Sequence, residues 1–358
     1  MTNKKLTRVV RAGDVMIGGD HPISVQSMVN VPAADFERAL AQIKSLESAG
    51  CDIVRLAVPT VEDAAIFKYA KERGVKCPLV ADIHFDYKIA LESVKMGADK
   101  IRINPGNIGE AWKVREVAEA CRAGGLPIRI GVNGGSLDKK LLEKFGSPTA
   151  EALAESALME AEALEACGFS DTVISIKSSS IKDMTGAARI VSASCDYPLH
   201  IGVTEAGDDY SGLIKSAVGI GSLLLDGIGN TIRVSLTADP VKEVFAGREI
   251  LNSLGLNPRG FIEVVSCPTC GRTSIDLIGI SREFKERVQG IDTRGKRLKV
   301  AVMGCAVNGP GEARGADFGI AGGRGFALFF KAGEPQMKIP EDEAVDFLVA
   351  EVKKAIAE

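Results

Sequence analysis

At 358 residues the chain exceeds the size, about 250–300 residues, at which a single hydrophobic core stops growing, so two domains are expected. A composition 46% hydrophobic and 25% charged, with a single Trp, is that of a soluble globular enzyme and excludes a disordered or fibrous chain. The net charge of −3 gives no general electrostatic reason to bind nucleic acid or an anionic membrane, so any anion site must be local.

The first residues, MTNKKLTRVVRAGDVMIGG, carry basic side chains but no apolar segment of a secretory signal. Nothing downstream approaches the roughly 18 apolar residues of a membrane span, so a cytoplasmic protein is expected. From residue 23 onward short β-rich runs alternate with helical patterns. The runs are ISVQSM (23–28), DIVRLA (52–57), PLVADI (78–83), KIRIN (100–104), PIRIGV (127–132), TVISIK (172–177), PLHIGV (198–203) and TIRVSL (231–236). Between them lie helical stretches such as 36–48, 61–72, 111–121, 150–166 and 241–252, with Gly50, Gly74, Gly97 and Gly168 marking returns. Eight strand–helix units in succession predict a (β/α)8 TIM barrel over residues 1–256. No GxGxxG follows a strand and no GxxxxGK[ST] occurs, which removes support for nucleotide-binding sheets.

Gly255-Leu-Asn-Pro-Arg-Gly260 reads as a linker, and the pattern then changes. Residues 257–358 predict a small α+β domain with a helix near 275–289, the apolar strand KVAVMGC, two strand-like runs at 318–321 and 326–330, and a final helix near 341–357.

Five of the eight cysteines, Cys51, Cys77, Cys121, Cys167 and Cys195, lie beside apolar runs and read as small buried hydrophobes. The other three share the small domain. Cys267-Pro-Thr-Cys270 has the spacing at which one turn grips a metal, and Cys305 follows in MGCAVNGPGE. Structural zinc wants a fourth Cys or His, whereas His21, His84 and His200 all fall in the predicted barrel. A redox dithiol would leave Cys305 and its glycine-rich loop unexplained. Three sulfurs with an oxygen donor suit one [4Fe-4S] cluster, with Glu312 as candidate fourth ligand or, alternatively, a solvated surface acid. Asn308-Gly-Pro-Gly311 would bring backbone N–H groups to the sulfurs, or is an ordinary turn.

Catalytic side chains of a TIM barrel sit at the C-terminal ends of its strands. Here those ends carry Arg55, Asp82, His84, Arg102, Asn104, Arg129, Asn133, Lys177, Glu205, Arg233 and Ser235. An Arg between β-branched residues, as in Ile101-Arg-Ile103, points to the axis if its neighbours face the helices. With Asp82 and Glu205 as the nearby acids, the cations would be largely unpaired. Two unit charges ~10 Å apart at an effective dielectric of ~20 repel by roughly 1.7 kcal/mol. An anion removes that cost, and Arg forks match phosphate oxygens. Asn133-Gly-Gly-Ser136 and Gly219-Ile-Gly221 could add backbone donors or be plain loops.

The ordered set QSM, IVRLAVP, ADIHFD, KIRINPGN, PIRIGVN, SIKSS, VTEAG, TIRVSLT, SCPTCGR and GCAVNGPGE resembles the 4-hydroxy-3-methylbut-2-enyl diphosphate synthase family of the non-mevalonate isoprenoid pathway, in its two-domain bacterial form. The resemblance implies reductive ring opening of 2-C-methyl-D-erythritol 2,4-cyclodiphosphate, with electrons arriving singly from a flavodoxin or ferredoxin. It implies that Cys267, Cys270, Cys305 and Glu312 hold the cluster. Arg55, Arg102, Arg129, Asn133, Lys177, Arg233 and Ser235 would grip the diphosphate, Glu205 would protonate the departing oxygen, and Asp82 and His84 would line the mouth. It also implies a homodimer whose cluster domain caps the partner's barrel. One departure stands out: Val29-Asn-Val31-Pro32 follows QSM where the family has a Thr-Asn-Thr run, which puts a hydroxyl contact from that loop in doubt. The rival readings are a pterin-type barrel synthase with a zinc-stapled appendage, and a non-catalytic iron–sulfur carrier.

Overall fold

The structure, a computed structural model, describes residues 4–305 and 313–358. The chain forms two compact units, Met1–Leu256 and Asn257–Glu358. An antiparallel hairpin, β1 (Val10–Ala12) and β2 (Val15–Ile17), opens the first unit. Eight parallel strands then close into a barrel: β3 (Ser24–Met28), β4 (Ile53–Ala57), β5 (Leu79–Asp82), β6 (Lys100–Ile103), β7 (Ile128–Asn133), β8 (Thr172–Lys177), β9 (Leu199–Ile201) and β10 (Thr231–Ile232), the last pairing with β3. Helices α1 (Phe36–Ser48), α2 (Ala65–Glu72), α3 (Tyr87–Lys95), α4 (Pro105–Ile108), α5 (Ala111–Gly124), α6 (Lys139–Phe145), α7 (Ala150–Glu165), α8 (Ile181–Ser194), α9 (Ser211–Leu225) and α10 (Pro240–Ser253) fill the connections.

Strand alternation sorts the barrel's residues. Val54, Leu79, Ile101, Ile103, Ile128, Ile130, Ile174, Ile176 and Ile232 face outward into one core with Ile43, Phe67, Val117, Leu153, Val191 and Leu223 of the helices. Several helices start on a side-chain cap: Asp35, Asp86, Thr149, Ser180 and Asp239 each accept a first-turn N–H, a contact worth about 1 kcal/mol. The inner face begins with Ile53, Val80 and Val173, on which Val10, Ala12 and Ile17 of the hairpin pack. The N-terminal end of the barrel is thus plugged with apolar side chains, and the charged residues Arg55, Asp82, Arg102 and Lys177 lie further along their strands.

Two strands are shorter than their sequence runs. PLHIGV gives strand at Leu199–Ile201, and TIRVSL at Thr231–Ile232. Lateral pairing persists one residue further, with Arg233 N–H donating to Ile201 O at 3.0 Å. The chain is then drawn to α10, because Leu236 N–H and the Arg233 guanidinium both donate to Glu243. Gly202 permits this approach: a Cβ there would lie 2.3 Å from Arg233 O. The hairpin's two three-residue strands carried too little periodicity to stand out in the sequence.

The second unit is a five-stranded sheet in the order β11 (Phe261–Ser266), β12 (Arg297–Met303), β13 (Phe318–Gly323), β14 (Phe326–Lys331), β15 (Glu334–Pro340). The first three strands are parallel and the last two antiparallel. Helices α11 (Leu277–Val288) and α12 (Ala344–Ala357) cover one face, burying Phe284, Leu348 and Val352 against Val300, Val302, Ile320 and Phe329. The strand β15 is additional to the runs recognised in the sequence. Its pattern EPQMKIP is almost wholly exposed at the sheet edge and so lacks apolar alternation.

Candidate active site

Laterally paired residues of a sheet share a face, and the register therefore places the charged residues of the strands inside the barrel. Arg55 pairs with Met28 and Val80, Val80 with Lys100, Asp82 with Arg102, and Arg102 with Arg129. Asn133 pairs with Lys177, Ser175 with His200, and His200 with Thr231. With Gln26 of β3, which shares the inner face, all eight strands contribute polar or charged groups to one interior.

Asp82 is the hub of the ion pairing. Its carboxylate lies 3.1 Å from Arg102 Nη1 and 3.5 Å from Arg55 Nε. Burial alone would raise its pKa, but Arg55, Arg102 and Arg129 overcome that and hold it well below the usual carboxylate range. Arg102 also donates to Gly131 O at 3.2 Å, which Asn104 Nδ2 shares at 3.4 Å. A Cβ on Gly131 would meet the Arg102 guanidinium at 2.4 Å, so the glycine makes room for that cation. Arg55 donates to Met28 Sδ at 3.1 and 2.7 Å, an acceptor far weaker than a carboxylate. Burial pushes the Arg55 pKa down to about 10, against the opposing pull of Asp82.

The sequence expectation that Asp82 and Glu205 are the mouth's acids needs correction. Arg233 Nη2 is paired with Glu243 of α10, at 3.2 and 3.4 Å, and Glu243 also accepts from Ser27 Oγ at 2.9 Å. That acid lies on a helix, outside the strand-end pattern, and escaped notice for that reason. Cations nevertheless predominate. Arg129, 1% exposed, donates to Gln26 Oε1 at 3.2 Å, while its buried Nε has no hydrogen-bond partner among the described residues. Burial first, then Arg55 and Arg102, lower its affinity for a proton; because a guanidinium keeps its charge, this measures how poorly the charge is compensated. Lys177 is buried, and burial followed by Arg55, Arg233 and Arg129 drives its pKa well down.

The remaining candidates lie nearer the rim. Glu205 is exposed, in a left-handed conformation (φ 52) that is unfavourable for a residue with a side chain. His84 is exposed beside Phe85, with ring centroids 6.1 Å apart. Asn133 ends β7 and is half-buried, as is Ser235 beyond β10. A rim recess of about 490 Å³ between the segments after β9 and β10 is lined by Asp208, Asp209, Asp239 and Lys242, a net negative charge that does not suit a phosphate. Gln26, Lys100 and His200 also face the interior but were not among the sequence's site candidates, although the period-two spacing from Arg102 already places Lys100 on the same face.

In the second unit Cys267 follows the last residue of β11, and Cys305 stands two residues beyond β12, its parallel neighbour. Cys270 lies three residues on, in a turn where its N–H donates to Thr273 Oγ1 at 3.2 Å. All three thiols are free, and Cys270 is exposed. Gly304 N–H donates to Cys267 Sγ at 3.3 Å. Among the described residues no three His, Cys, Asp or Glu side chains are gathered closely enough to hold a metal ion. Glu312 and Asn308–Gly311 lie outside the described residues.

Residues 7–248 match the GcpE TIM-barrel domain, and residues 263–354 match the GcpE protein C-terminal domain. The chain belongs to the GcpE family. Relatives span its full length: the 4-hydroxy-3-methylbut-2-en-1-yl diphosphate synthase (flavodoxin) of Geobacter sulfurreducens is 55% identical over 99% of both chains. The enzyme of the same name from Symbiobacterium thermophilum is 53% identical, over 100% of this chain and 95% of its own. Outside the GcpE family the barrel is similar in fold to type I 3-dehydroquinate dehydratase from Clostridium difficile, with TM-score 0.52 and 14% identity over 70% of this chain and 98% of that one. It is likewise similar to dihydropteroate synthase from Stenotrophomonas maltophilia, with TM-score 0.51 and 14% identity over 70% and 100%. Identity that low speaks for the fold alone.

Proposed function

We propose that the barrel interior grips the diphosphate of a cyclic substrate through Arg55, Arg102, Arg129, Asn133, Lys177, Arg233 and Ser235. We infer further that Cys267, Cys270, Cys305 and Glu312 hold one [4Fe-4S] cluster per chain. The reaction follows from membership of the GcpE family: the chain is an oxidoreductase of isoprenoid biosynthesis. It reduces 2-C-methyl-D-erythritol 2,4-cyclodiphosphate to (E)-4-hydroxy-3-methylbut-2-enyl diphosphate.

The observation that carries the binding reading is the excess of buried cation on the inner face. Asp82 and Glu243 are the carboxylates paired there, against Arg55, Arg102, Arg129, Lys177 and Arg233. A diphosphate supplies the missing negative charge and the acceptors for donors such as Arg129 Nε. In the resting barrel Asp82 holds two guanidinium groups in register, so the fork geometry exists before substrate arrives.

The donor set suits the cluster in chemistry. Three free thiols leave adjoining ends of two parallel strands, and one already receives a backbone N–H of the kind that tunes cluster sulfurs. When bound, the cluster supplies electrons one at a time. Ring opening with loss of a hydroxyl as water consumes protons. Glu205, exposed and held in a strained conformation at the rim, is the proposed donor to the departing oxygen.

The printed names of the relatives support flavodoxin as reductant, with a ferredoxin as the alternative. The reading includes a homodimer in which each cluster domain closes the partner's barrel, and a cytoplasmic location, where thiols stay reduced. Among the described residues no helix is long and apolar enough to cross a membrane.

Purification without oxygen, followed by iron and sulfide analysis and visible and EPR spectra with and without the cyclodiphosphate, tests the whole reading. The expected result is about four irons per chain and a spectrum that shifts with substrate. Stoichiometric zinc without iron would overturn it.

A further inference from the structure

Below the proposed phosphate ligands the barrel holds one cation that no ligand contact explains. Lys100 lies on β6, two residues before Arg102 and on the same face, and is wholly buried. Among the described residues its Nζ has no hydrogen-bond partner, and the charges acting on it are Arg129 and Arg55, both positive. An ammonium in that position is desolvated, unpaired and repelled, which a protein interior does not sustain. The neighbouring guanidinium groups cannot shed their protons, whereas an amine can. Lys177 is the other amine on this inner face, but its Nζ, unlike that of Lys100, is not among the fully buried atoms left without a partner among the described residues, so Lys100 is where this interior adjusts its charge.

We propose that Lys100 is the proton-accepting residue of the barrel: its uncharged amine takes up one proton from solvent when a diphosphate enters the mouth, coupling substrate binding to proton uptake. The Nζ lone pair forms the new N–H bond, and the phosphate charge above Arg55 and Arg129 offsets the repulsion that kept the amine neutral. The groups facing this interior are Arg55 on β4, Asp82 on β5, Arg102 on β6, Arg129 on β7, Lys177 on β8, His200 on β9, Arg233 just past β10 and Glu243 of α10, which is paired with Arg233. His200 is also buried, its Nδ1 3.4 Å from Thr231 Oγ1 and its Nε2 without a partner among the described residues. An imidazole, however, starts from a much lower proton affinity than an amine and needs a stronger field to charge.

The inference rests on the diphosphate reading of the mouth, and one titration separates the two. Inorganic pyrophosphate is titrated calorimetrically into the protein in buffers of different ionisation enthalpy, for the unaltered chain, Lys100→Met and Lys100→Gln. Proton uptake smaller by about one per chain in both variants, with binding retained, is the expected result. Equal uptake overturns the role of Lys100 and leaves the diphosphate reading intact. Failure of the unaltered chain to bind pyrophosphate overturns both. A readout free of any folding defect in the variants is the lysine 15Nζ spectrum of the unaltered chain, where a neutral-amine resonance must convert to ammonium on adding pyrophosphate. Its persistence as an amine overturns the proposal.

Discussion

In the barrel unit the candidate ligands stand on the strands themselves: Arg55, Asp82, Arg102, Arg129 and Lys177 are inner-face residues within β4 to β8. In the C-terminal unit Cys267, Cys270 and Cys305 stand just beyond the ends of β11 and β12, with the backbone no longer held by lateral pairing. Strand residues inherit their direction from the hydrogen-bond ladder, so the barrel cations are fixed and their mutual repulsion is built in. Loop ligands have directions that depend on what they bind. The first arrangement suits a site that must recognise a rigid anion. The second suits one completed by its cofactor, where metal binding itself orders the ligands.

The sharpest break in that contrast comes from the cysteines. Cys267→Ser should leave the sheet and the barrel folded, because the residue is half-buried at a strand end. It should remove essentially all iron and all turnover, read by iron analysis and by a reductant-driven assay. Pyrophosphate binding to the barrel should remain. Retained iron would move Cys267 out of the ligand set.

Arg129→Met acts on the other side of the comparison. It removes a buried cation whose Nε is unpartnered. Loss of a charge-assisted contact worth about 1.5–3 kcal/mol should raise the Kd for pyrophosphate by roughly 10- to 150-fold. Iron content should not change, and the Tm should hold or rise because an uncompensated charge is gone. Loss of iron instead would show that the two regions are coupled.

Asp82→Asn probes how much the preset cation geometry costs without its carboxylate. Breaking a buried pair leaves Arg55 and Arg102 uncompensated, with an expected loss of about 3–5 kcal/mol in stability. Pyrophosphate should raise the Tm of the variant by more than that of the unaltered chain. The sign in pH is fixed by the direction of the shift. Asp82's folded pKa lies below its unfolded value, so its contribution is fully present above the ordinary carboxylate pKa. It disappears as pH falls from there toward the lowered value. An acid limb that is the same in Asp82→Asn as in the unaltered chain would remove Asp82 from that role.

The barrel was legible because its signals are periodic. Eight β-rich runs separated by helical stretches gave the closed sheet, and alternation within Ile101-Arg102-Ile103 gave the inward direction of the cation. Glu243 was not legible, since it sits on α10 and reaches Arg233 only because the chain bends after Ile232. The hairpin that plugs the barrel was hidden by the shortness of its strands, and β15 by its exposure. The cysteine spacing exposed the thiols, but a spacing does not say how three sulfurs are oriented, and Glu312 lies outside the described residues.

Glu160 gives the smallest expected effect and had no sequence signal at all, being one of several acids along α7. Its Oε2 is buried without a hydrogen-bond partner among the described residues, and burial pushes its pKa up to about 8 against the opposing pull of Arg102. The carboxyl is therefore protonated at neutral pH, and Glu160→Gln replaces one neutral group by another of nearly the same shape. Because the folded pKa lies above the unfolded one, the unaltered chain loses stability as pH rises from the ordinary carboxylate pKa to about 8 and changes no further beyond it. The variant lacks that slope. Chemical denaturation should give similar stabilities near pH 4, with the variant ahead at pH 9, as a folded pKa above the unfolded one requires. Parallel pH profiles would mean that Glu160 ionises normally, and that Arg102 has a second carboxylate partner, which would weaken the case for a cation excess at the mouth.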